Sequence, residues 1–257
     1  MEMATQKIKT GWERLDDQLG GGLPKGSITA VSGSTGSGKS IFAMQFLMNG
    51  IRTSGEPGIY IAIEESKNSL YRSMASISWD LRQYESSNQL TIIDYPFHEV
   101  DQLLDQRNPV KELIDRFGVE RVVIDSIMPV AVKFATENEM KRGFLKLIEN
   151  IRAWDTTAMV LTNDINATTY HVMPQTEFGI EKFTEGWIHL YNIFKANERK
   201  RAMEVLKMKG SGHKTNMMPF AIGPTGIMFR EDGAGASDIF GDEEERPQKQ
   251  KRPKTRR

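Results

Sequence analysis

Two acidic residues, Glu64 and Glu65, end an otherwise apolar stretch that reads IYIAIEES over residues 59–66. A short apolar run of this kind is typical of a buried strand, and a carboxylate at its end can orient and polarise a water molecule. Two adjacent carboxylates repel each other, which favours a raised pKa for one of them. Alternatively, Glu65 and Ser66 only favour the N-terminus of a following helix. What the rest of the chain places nearby decides between these interpretations.

Residues 33–40 read GSTGSGKS, which fits the phosphate-loop pattern G-x-x-x-x-G-K-[ST] between a predicted strand and a predicted helix. Glycines let such a loop turn its backbone amides toward an anion at the helix N-terminus. Lys39 is expected to reach the β- and γ-phosphates of ATP, and the Ser40 hydroxyl is expected to ligate Mg²⁺. The alternative is a Gly/Ser-rich loop with a chance lysine. The residues expected to contact the nucleotide are Gly33, Ser34, Thr35, Gly36, Ser37, Gly38, Lys39, Ser40 and Ile41.

A second acidic position supports the phosphate site. Residues 121–126 read RVVIDS, so that an apolar strand delivers Asp125 at its carboxyl end, where the carboxylate can help to hold Mg²⁺. An aspartate that ends a strand is common, and alone it indicates little. Downstream of a phosphate loop, it predicts a complete site in which Glu64 and Glu65 activate the attacking water.

Two further strand ends carry polar residues. LTND, residues 161–164, places Asn163 or Asp164 where a γ-phosphate could be sensed, with a polar strand cap as the alternative. In AMEVLKMKGSGH, residues 202–213, the period of two predicts that Met203, Val205, Lys207 and Lys209 share one face. Two neighbouring lysines repel unless an anion lies between them; alternatively, they protect a sheet edge from aggregation.

Short apolar strands alternate with amphipathic helices in the first two thirds of the chain, which predicts an α/β fold with a mainly parallel central sheet flanked by helices. Strands are predicted at 27–33, 58–63, 90–94, 121–125 and 158–162, and helices at 11–19, 40–51, 68–85, 108–117 and 138–153. GWIHLYNIF and AMEVLKMKG, joined by the polar residues 195–201, predict a C-terminal antiparallel β-hairpin. Residues 226–230 predict a last strand.

Composition bounds the class of protein. The 257 residues are 39% hydrophobic and 26% charged, with 34 basic and 34 acidic side chains, so bulk charge favours no particular partner. The absence of cysteine excludes disulfides and thiolate metal sites and fits a reducing interior. Neither a membrane-spanning apolar run nor a signal-peptide pattern is present, and a cytoplasmic protein is expected. The predicted division is a flexible segment 1–9, an ATPase domain 10–230 and a disordered charged tail 231–257.

Four motifs occur in the same order as in the KaiC family of RecA-like P-loop NTPases, which the chain resembles over about residues 8–230. They are GWERLDDQLGGGLPKGSITAVSGSTGSGKS, IAIEES, RVVIDS and AMEVLKMKGSGH. The resemblance implies a RecA-like core, ATP with Mg²⁺, and hexameric or filament-like rings with nucleotide between subunits. It also implies that the paired glutamates of the family, matched by Glu64 and Glu65, activate water. One such domain is present, as in many archaeal members.

The same resemblance assigns a role to the late lysines. The family's basic residues at the positions of Lys207 and Lys209 reach the γ-phosphate held by the neighbouring subunit, and His213 matches a family histidine near that phosphate. Family members often carry arginine at the second position, whereas Lys209 is a point charge without the bidentate fork. Lys39, Glu64, Glu65, Lys207 and Lys209 are therefore the expected catalytic residues.

Three alternatives stand beside an oligomeric, regulatory ATPase. A DNA-binding recombinase would need basic pore loops, but residues 165–185 hold one basic residue, Lys182, and three glutamates. The basic tail 246–257 is the remaining candidate for nucleic acid. A nucleotide-dependent scaffold or signalling adaptor with a protein partner and little turnover is favoured slightly by Lys209. Autophosphorylation has hydroxyls available at Ser126, Thr136 and Thr168, and none is singled out.

Overall fold

The elements that position these residues are seen in a computed structural model that describes residues 6–105, 109–165, 173–195 and 197–230. The strands are, in chain order, β1 Lys7–Ile8, β2 Leu23–Pro24, β3 Ile28–Gly33, β4 Gly58–Ala62, β5 Leu90–Asp94, β6 Arg121–Asp125, β7 Thr157–Thr162, β8 Gly186–Lys195, β9 Glu198–Met208, β10 Met218–Gly223 and β11 Gly226–Phe229. The α-helices are α1 Glu13–Gln18, α2 Lys39–Ser54, α3 Lys67–Ser73, α4 Leu81–Ser86, α5 Pro109–Phe117, α6 Met128–Ala131 and α7 Glu137–Ala153. Segments of 3₁₀-helix lie at Phe97–Leu104 and Ile180–Lys182.

The large sheet has the strand order β11-β10-β9-β8-β3-β7-β6-β4-β5. Strand β3 pairs in parallel with both β7 and β8, and the strands from β8 to β5 in this order all run in one direction. Strands β9, β10 and β11 extend the sheet in antiparallel fashion. The predicted α/β fold, with a mainly parallel sheet and a C-terminal antiparallel hairpin, is confirmed.

Apolar side chains cover both faces of this sheet. In β4, Tyr60 and Ala62 belong to the core under α2, whereas Ile59 and Ile61 belong to the opposite core under α5 and α7. Successive side chains of a strand point to opposite faces, so a strand buried on both sides must be apolar throughout. The run that leads into Glu64 is therefore buried as expected.

The five strands predicted between residues 27 and 162 lie within one residue of the observed bounds. The single helix predicted over 68–85 is wrong, because the structure divides it into α3 and α4. Between them the Ser78 amide donates to Pro224 O at 2.7 Å, and the Asp80 carboxylate caps α4 by accepting the Gln83 amide at 3.1 Å. Strand β10 is an element that the sequence pattern did not predict.

The expectation of a flexible segment over residues 1–9 does not hold at its end. Lys7 and Ile8 pair with Pro24 and Leu23, and Ile8 packs into the core at 5% exposure. One apolar side chain inserted into the core and an ammonium bonded to main-chain carbonyls hold this short strand in place.

Arg121 ties the phosphate-loop helix to the strand that ends in Asp125. Its guanidinium is completely buried and donates to Phe46 O at 2.9 Å, to Lys9 O at 2.8 Å and to the Glu56 carboxylate at 2.6 Å. A buried charge is stable only when paired and hydrogen-bonded, and here one carboxylate and two carbonyls supply the partners.

Some predictions fall outside the described residues, namely those for residues 1–5, for Thr168 and for the tail 231–257. Within the described part of the chain, no helix is both long enough and apolar enough to span a bilayer.

Candidate nucleotide site

The predicted phosphate loop joins β3 to α2 through a turn that requires glycine. Gly38 immediately precedes the helix with φ of 103°, and a Cβ at Gly33 would lie 2.4 Å from Leu190 O. A side chain at either position would strain or displace the backbone. The Ser37 amide closes the turn by donating to Ser34 O at 3.1 Å.

Lys39 is folded back over this loop. Its Nζ donates to Gly33 O at 2.7 Å and to Ser34 O at 3.2 Å. Burial lowers the pKa of Lys39, while the nearby carboxylates of Asp125, Glu64 and Asp164 act in the opposite direction. A partly desolvated cation surrounded by acidic groups therefore stands where the phosphates of a nucleotide would bind.

The residues present fit a nucleotide phosphate. The buried Ser37 hydroxyl has no hydrogen-bond partner among the described residues, although it lies in the loop itself. The 16-residue helix α2 directs its N-terminus at the same place, and helix N-termini attract anions. An unpartnered buried donor, a cation and a helix N-terminus together favour an anionic ligand.

The residues also fit a divalent cation beside that phosphate. Asp125 and Ser40 meet at the Tyr60 hydroxyl, which donates to Asp125 and interacts with the Ser40 side chain. Burial, followed by the Asp125 charge, raises the pKa of Tyr60 well above its ordinary value. A hydroxyl and a carboxylate brought together in this way are the hard oxygen ligands that Mg²⁺ prefers.

Tyr60 was not among the residues that the sequence singled out. Its signal was a lone tyrosine in the apolar run IYIAI, because a buried tyrosine hydroxyl needs a hydrogen-bond partner. Here that partner is Asp125, so Tyr60 orients the carboxylate from beneath.

The paired glutamates follow β4 and face the same edge of the sheet. Glu64 is exposed and accepts a hydrogen bond from the Ser126 hydroxyl, while Glu65 is half-buried. Burial raises the pKa of Glu65, and the charges of Asp125 and Glu64 add to the rise, against a hydrogen bond from Ser69. The helix that follows is capped by Ser66, whose hydroxyl accepts the Ser69 amide at 3.3 Å. Neither glutamate supplies that cap.

A buried chain of polar groups lies under the loop. Trp187 Nε1 donates to Ser32 Oγ at 2.7 Å, and Ser32 Oγ lies 2.8 Å from His189 Nδ1. The serine hydroxyl can accept from the indole and donate to Nδ1 at the same time, an arrangement that leaves the His189 proton on Nε2. That nitrogen lies 3.7 Å from the Asp164 carboxylate, so the imidazole is directed at the strand end that LTND predicted.

His189 is held neutral in this position. Burial lowers its pKa to about 4, with the Lys39 charge acting in the same direction and Asp164 opposing it. Asp164 also accepts the Gln175 amide at 3.2 Å, and its side chain is 2% exposed. Ser32 and His189 lie 157 positions apart in the chain, and this distance is why no local motif could reveal their contact.

The β8–β9 hairpin packs against the phosphate loop. Arg201 Nε donates to Gly36 O at 3.1 Å, and Asn192 Nδ2 approaches Thr35 O at 3.5 Å. Arg199 joins Asn192, Asp164 and Ser34 around a polar cavity of about 590 Å³. The sequence predicts a polar connection at 199–201, but these residues belong to β9, and Arg201 contacts the phosphate loop.

The end of the sheet away from the phosphate loop, where the parallel strands begin, carries Lys207, Lys209 and His213. Lys207 pairs with Trp187 near the start of β8, whereas Leu190, further along β8, pairs with Gly33 of the loop. Lys207 Nζ donates to Glu181 O at 2.8 Å and to Thr184 O at 2.7 Å, and Lys209 is exposed. These residues do not reach the phosphate loop of their own chain.

The predicted common face for Met203, Val205, Lys207 and Lys209 is wrong. A β-bulge shifts the pairing between Trp187 and Ile188, so that Val205 opposes Ile188 while Lys207 opposes Trp187. The extra residue reverses the alternation, because a bulge adds one position without a partner. Met203 and Val205 enter the core under α2, and Lys207 lies on the other face with Trp187.

The geometry agrees with comparisons to known proteins. The model of the family described as "ATPase: KaiC" matches residues 8–234. The circadian clock oscillator protein KaiC of Prochlorococcus marinus subsp. pastoris is 34% identical over 242 residues, which cover 91% of this chain and 47% of that protein. Its counterpart in Synechococcus elongatus is 30% identical over 239 residues. The chain thus spans about half the length of these curated relatives.

A solved structure is similar along its whole length. The crystal structure of a KaiC-like protein from the hyperthermophilic archaeon Pyrococcus horikoshii OT3 matches with a TM-score of 0.76 and 31% identity. The match covers 88% of this chain and all of that one.

Proposed function

Because the chain belongs to the KaiC family and has the RecA-like core that its sequence predicts, we propose that it hydrolyses ATP to ADP and phosphate as a homo-oligomer. The expected assembly is a hexamer with nucleotide between subunits. One observation carries this proposal: the phosphate loop lies at the carboxyl ends of the parallel strands, which we call the carboxyl edge of the sheet, and the late lysines lie at the amino ends, the amino edge. A site that needs both must be completed by a second copy of the chain.

The loop side of the site supplies binding and water activation. Lys39 binds the β- and γ-phosphates, and Ser40 and Asp125 hold Mg²⁺, which when bound offsets the charge of the transferred phosphoryl group. Glu65, whose pKa is raised, or Glu64 accepts a proton as a water oxygen bonds to the γ-phosphorus. The bond to the ADP oxygen breaks, and ADP leaves with the electron pair of that bond.

The neighbouring subunit supplies the cations. Lys209 is exposed and can extend from its own subunit toward a neighbour's γ-phosphate, and His213 follows it on the same loop. Lys207 donates to two main-chain carbonyls rather than to a carboxylate, so an anion can recruit it without breaking a direct ion pair. Positive charge near the γ-phosphate stabilises the transition state.

Mixing two inactive variants tests the shared site. Lys39→Ala lacks a working phosphate loop, and Lys207→Ala with Lys209→Ala lacks the donor lysines. At equal concentrations, about a quarter of the interfaces pair an intact loop with an intact donor, so about a quarter of the parent activity should return. Specific activity of the parent should also rise with protein concentration through the assembly range. A monomeric ATPase with concentration-independent activity would contradict the proposal.

A slow, regulatory ATPase is favoured over a fast one by the donor side. Both donor positions carry lysine, and a lysine cannot make the bidentate contact of an arginine finger. ATPase rates measured with and without single-stranded DNA separate this role from that of a recombinase, whose activity should rise with DNA.

A further inference from the structure

The loop that follows β9 is fixed to the N-terminal segment of its own chain. Ser211 Oγ donates to Leu19 O at 2.7 Å, and the Lys214 amide donates to Gln18 O at 2.8 Å. Gln18 Nε2 donates back to Asn216 O at 2.5 Å. These contacts enclose the stretch that holds His213, and they begin two residues after Lys209.

Lys7 is at the centre of this attachment. Its Nζ donates to Leu19 O at 2.9 Å, to Gly20 O at 2.7 Å and to Ser211 Oγ at 2.7 Å. An ammonium has three protons, so all of its donors are in use. Charge-assisted bonds are stronger than neutral ones, and this group joins the glycine-rich turn to the loop directly.

The turn and the loop also approach each other closely through their backbones. Gly20 has φ of 64°, and a Cβ there would lie 2.9 Å from Gly212 O. Gly212 immediately precedes His213, so the position of this histidine depends on how the loop packs against the turn.

We propose that the N-terminal strand β1, acting through Lys7, positions the loop that carries Lys209 and His213 for the neighbouring subunit's nucleotide. Lys7 is a positioning residue: it acts on the reaction through the loop. The inference rests on the proposed function, because it assigns the anchor of the residues that are proposed to act in trans. Displacing a reacting group by about 1 Å can slow a reaction by about 100-fold, so an anchor of this kind can control the rate.

The test uses Lys7→Met and Ser211→Ala, with Lys9→Met as the matched control. Lys9 lies two positions from Lys7 with its side chain exposed. Its carbonyl accepts from Arg121, and the substitution keeps that carbonyl. We expect unchanged ATP affinity for all three variants and a kcat reduced about 10- to 100-fold for Lys7→Met and Ser211→Ala. Lys9→Met should retain the parent rate.

Complementation separates a displaced donor loop from a general loss of folding. Lys7→Met keeps its phosphate loop, so mixing it with Lys39→Ala should restore activity. Mixing it with Lys207→Ala/Lys209→Ala should not, because neither partner then supplies a working donor loop. Equal behaviour of the two mixtures, or a parent-like rate for Lys7→Met and Ser211→Ala, would overturn the inference.

The same set of variants shows which proposal has failed. If Lys207→Ala/Lys209→Ala by itself retains the parent rate, the shared site is wrong and the anchor has no reaction to control. If that variant is inactive while Lys7→Met is fully active, the shared site stands and the anchor alone is refuted.

Discussion

The two edges of the sheet are organised in different ways. At the carboxyl edge, Lys39, Asp125 and His189 each contact another side chain or carbonyl of the same site, largely out of solvent. At the amino edge, Lys209 is exposed and Lys207 is bonded to main-chain carbonyls alone. The carboxyl edge favours an anion within the chain, and the amino edge presents one exposed cation, Lys209. The difference is what a site divided between two copies requires.

The largest expected effect on nucleotide binding comes from the carboxyl edge. Lys39→Ala removes the cation that the loop itself supplies, so ATP affinity should fall by more than about 100-fold, because charge-assisted hydrogen bonds to phosphate are lost. Equilibrium binding of a fluorescent ATP analogue measures this. The control is Lys25→Ala, which removes an exposed lysine paired with Glu120 at 3.1 Å. Equal affinity of the two variants would refute the phosphate-site assignment.

The paired glutamates should affect catalysis without affecting binding. Glu64→Gln combined with Glu65→Gln should bind ATP as the parent does and lower kcat by about 10²–10⁴-fold, the usual effect of losing a general base. The single variants sharpen the assignment, because burial raises the pKa of Glu65. If Glu65 is the base, the acidic limb of the parent's kcat profile should lie above the ordinary pKa of glutamate and disappear in Glu65→Gln. A double variant that turns over at the parent rate would leave both residues without a catalytic role.

The smallest expected effect concerns stability. The pKa of His189 is lowered by burial to about 4, so between that value and about 6.5 the unfolded chain binds a proton that the folded chain does not. The free energy of unfolding therefore falls as pH falls through this window, by roughly 2 to 3 kcal/mol between pH 7.5 and 4.5 for this group. The groups that face His189 are Asp164, Lys39 and the Tyr191 ring.

His189→Gln removes this contribution. Urea unfolding at the two pH values should show a smaller pH dependence for the variant than for the parent, although the variant is less stable at pH 7.5. The same slope in both proteins would mean that His189 is not held neutral by its surroundings.

The sequence predicted those parts of the site that depend on local geometry. The loop from Gly33 to Ser40 and the strand ends at Glu64 and Asp125 follow from a turn and from short apolar runs, each contained within a few residues. The contacts of Tyr60 with Asp125 and of Ser32 with His189 join strands far apart in the chain. They depend on strand order, which periodicity does not determine.

Strand β9, which carries Lys207, shows a different limit of prediction from sequence. Apolar and polar residues alternate in AMEVLKMKG. The bulge opposite Trp187 and Ile188, however, exchanges the two faces of β9 between Val205 and Lys207, so the pattern predicts the wrong face for Lys207. A bulge is decided by how two strands pair, and the pattern of one strand does not contain that information. The anchoring of residues 211–216 on the N-terminal segment could not be predicted for the same reason, since Lys7 and Ser211 are 204 positions apart.

The position of strand β9 between the phosphate loop and Lys207 has a consequence for how subunits would affect one another. It touches its own phosphate loop through Arg201, whose Nε donates to Gly36 O, and it reaches Lys207 after about 20 Å of extended chain. In the proposed ring this strand connects two nucleotide sites. One end contacts the phosphate loop of its own subunit, and the other end is directed at the neighbour's nucleotide. A shift of the loop on ATP binding would move this strand and so affect the neighbour's nucleotide, and by linkage the neighbour's nucleotide would affect the loop in return. In such a ring each subunit would meet its two neighbours through different surfaces, with its phosphate loop on one side and Lys209 on the other.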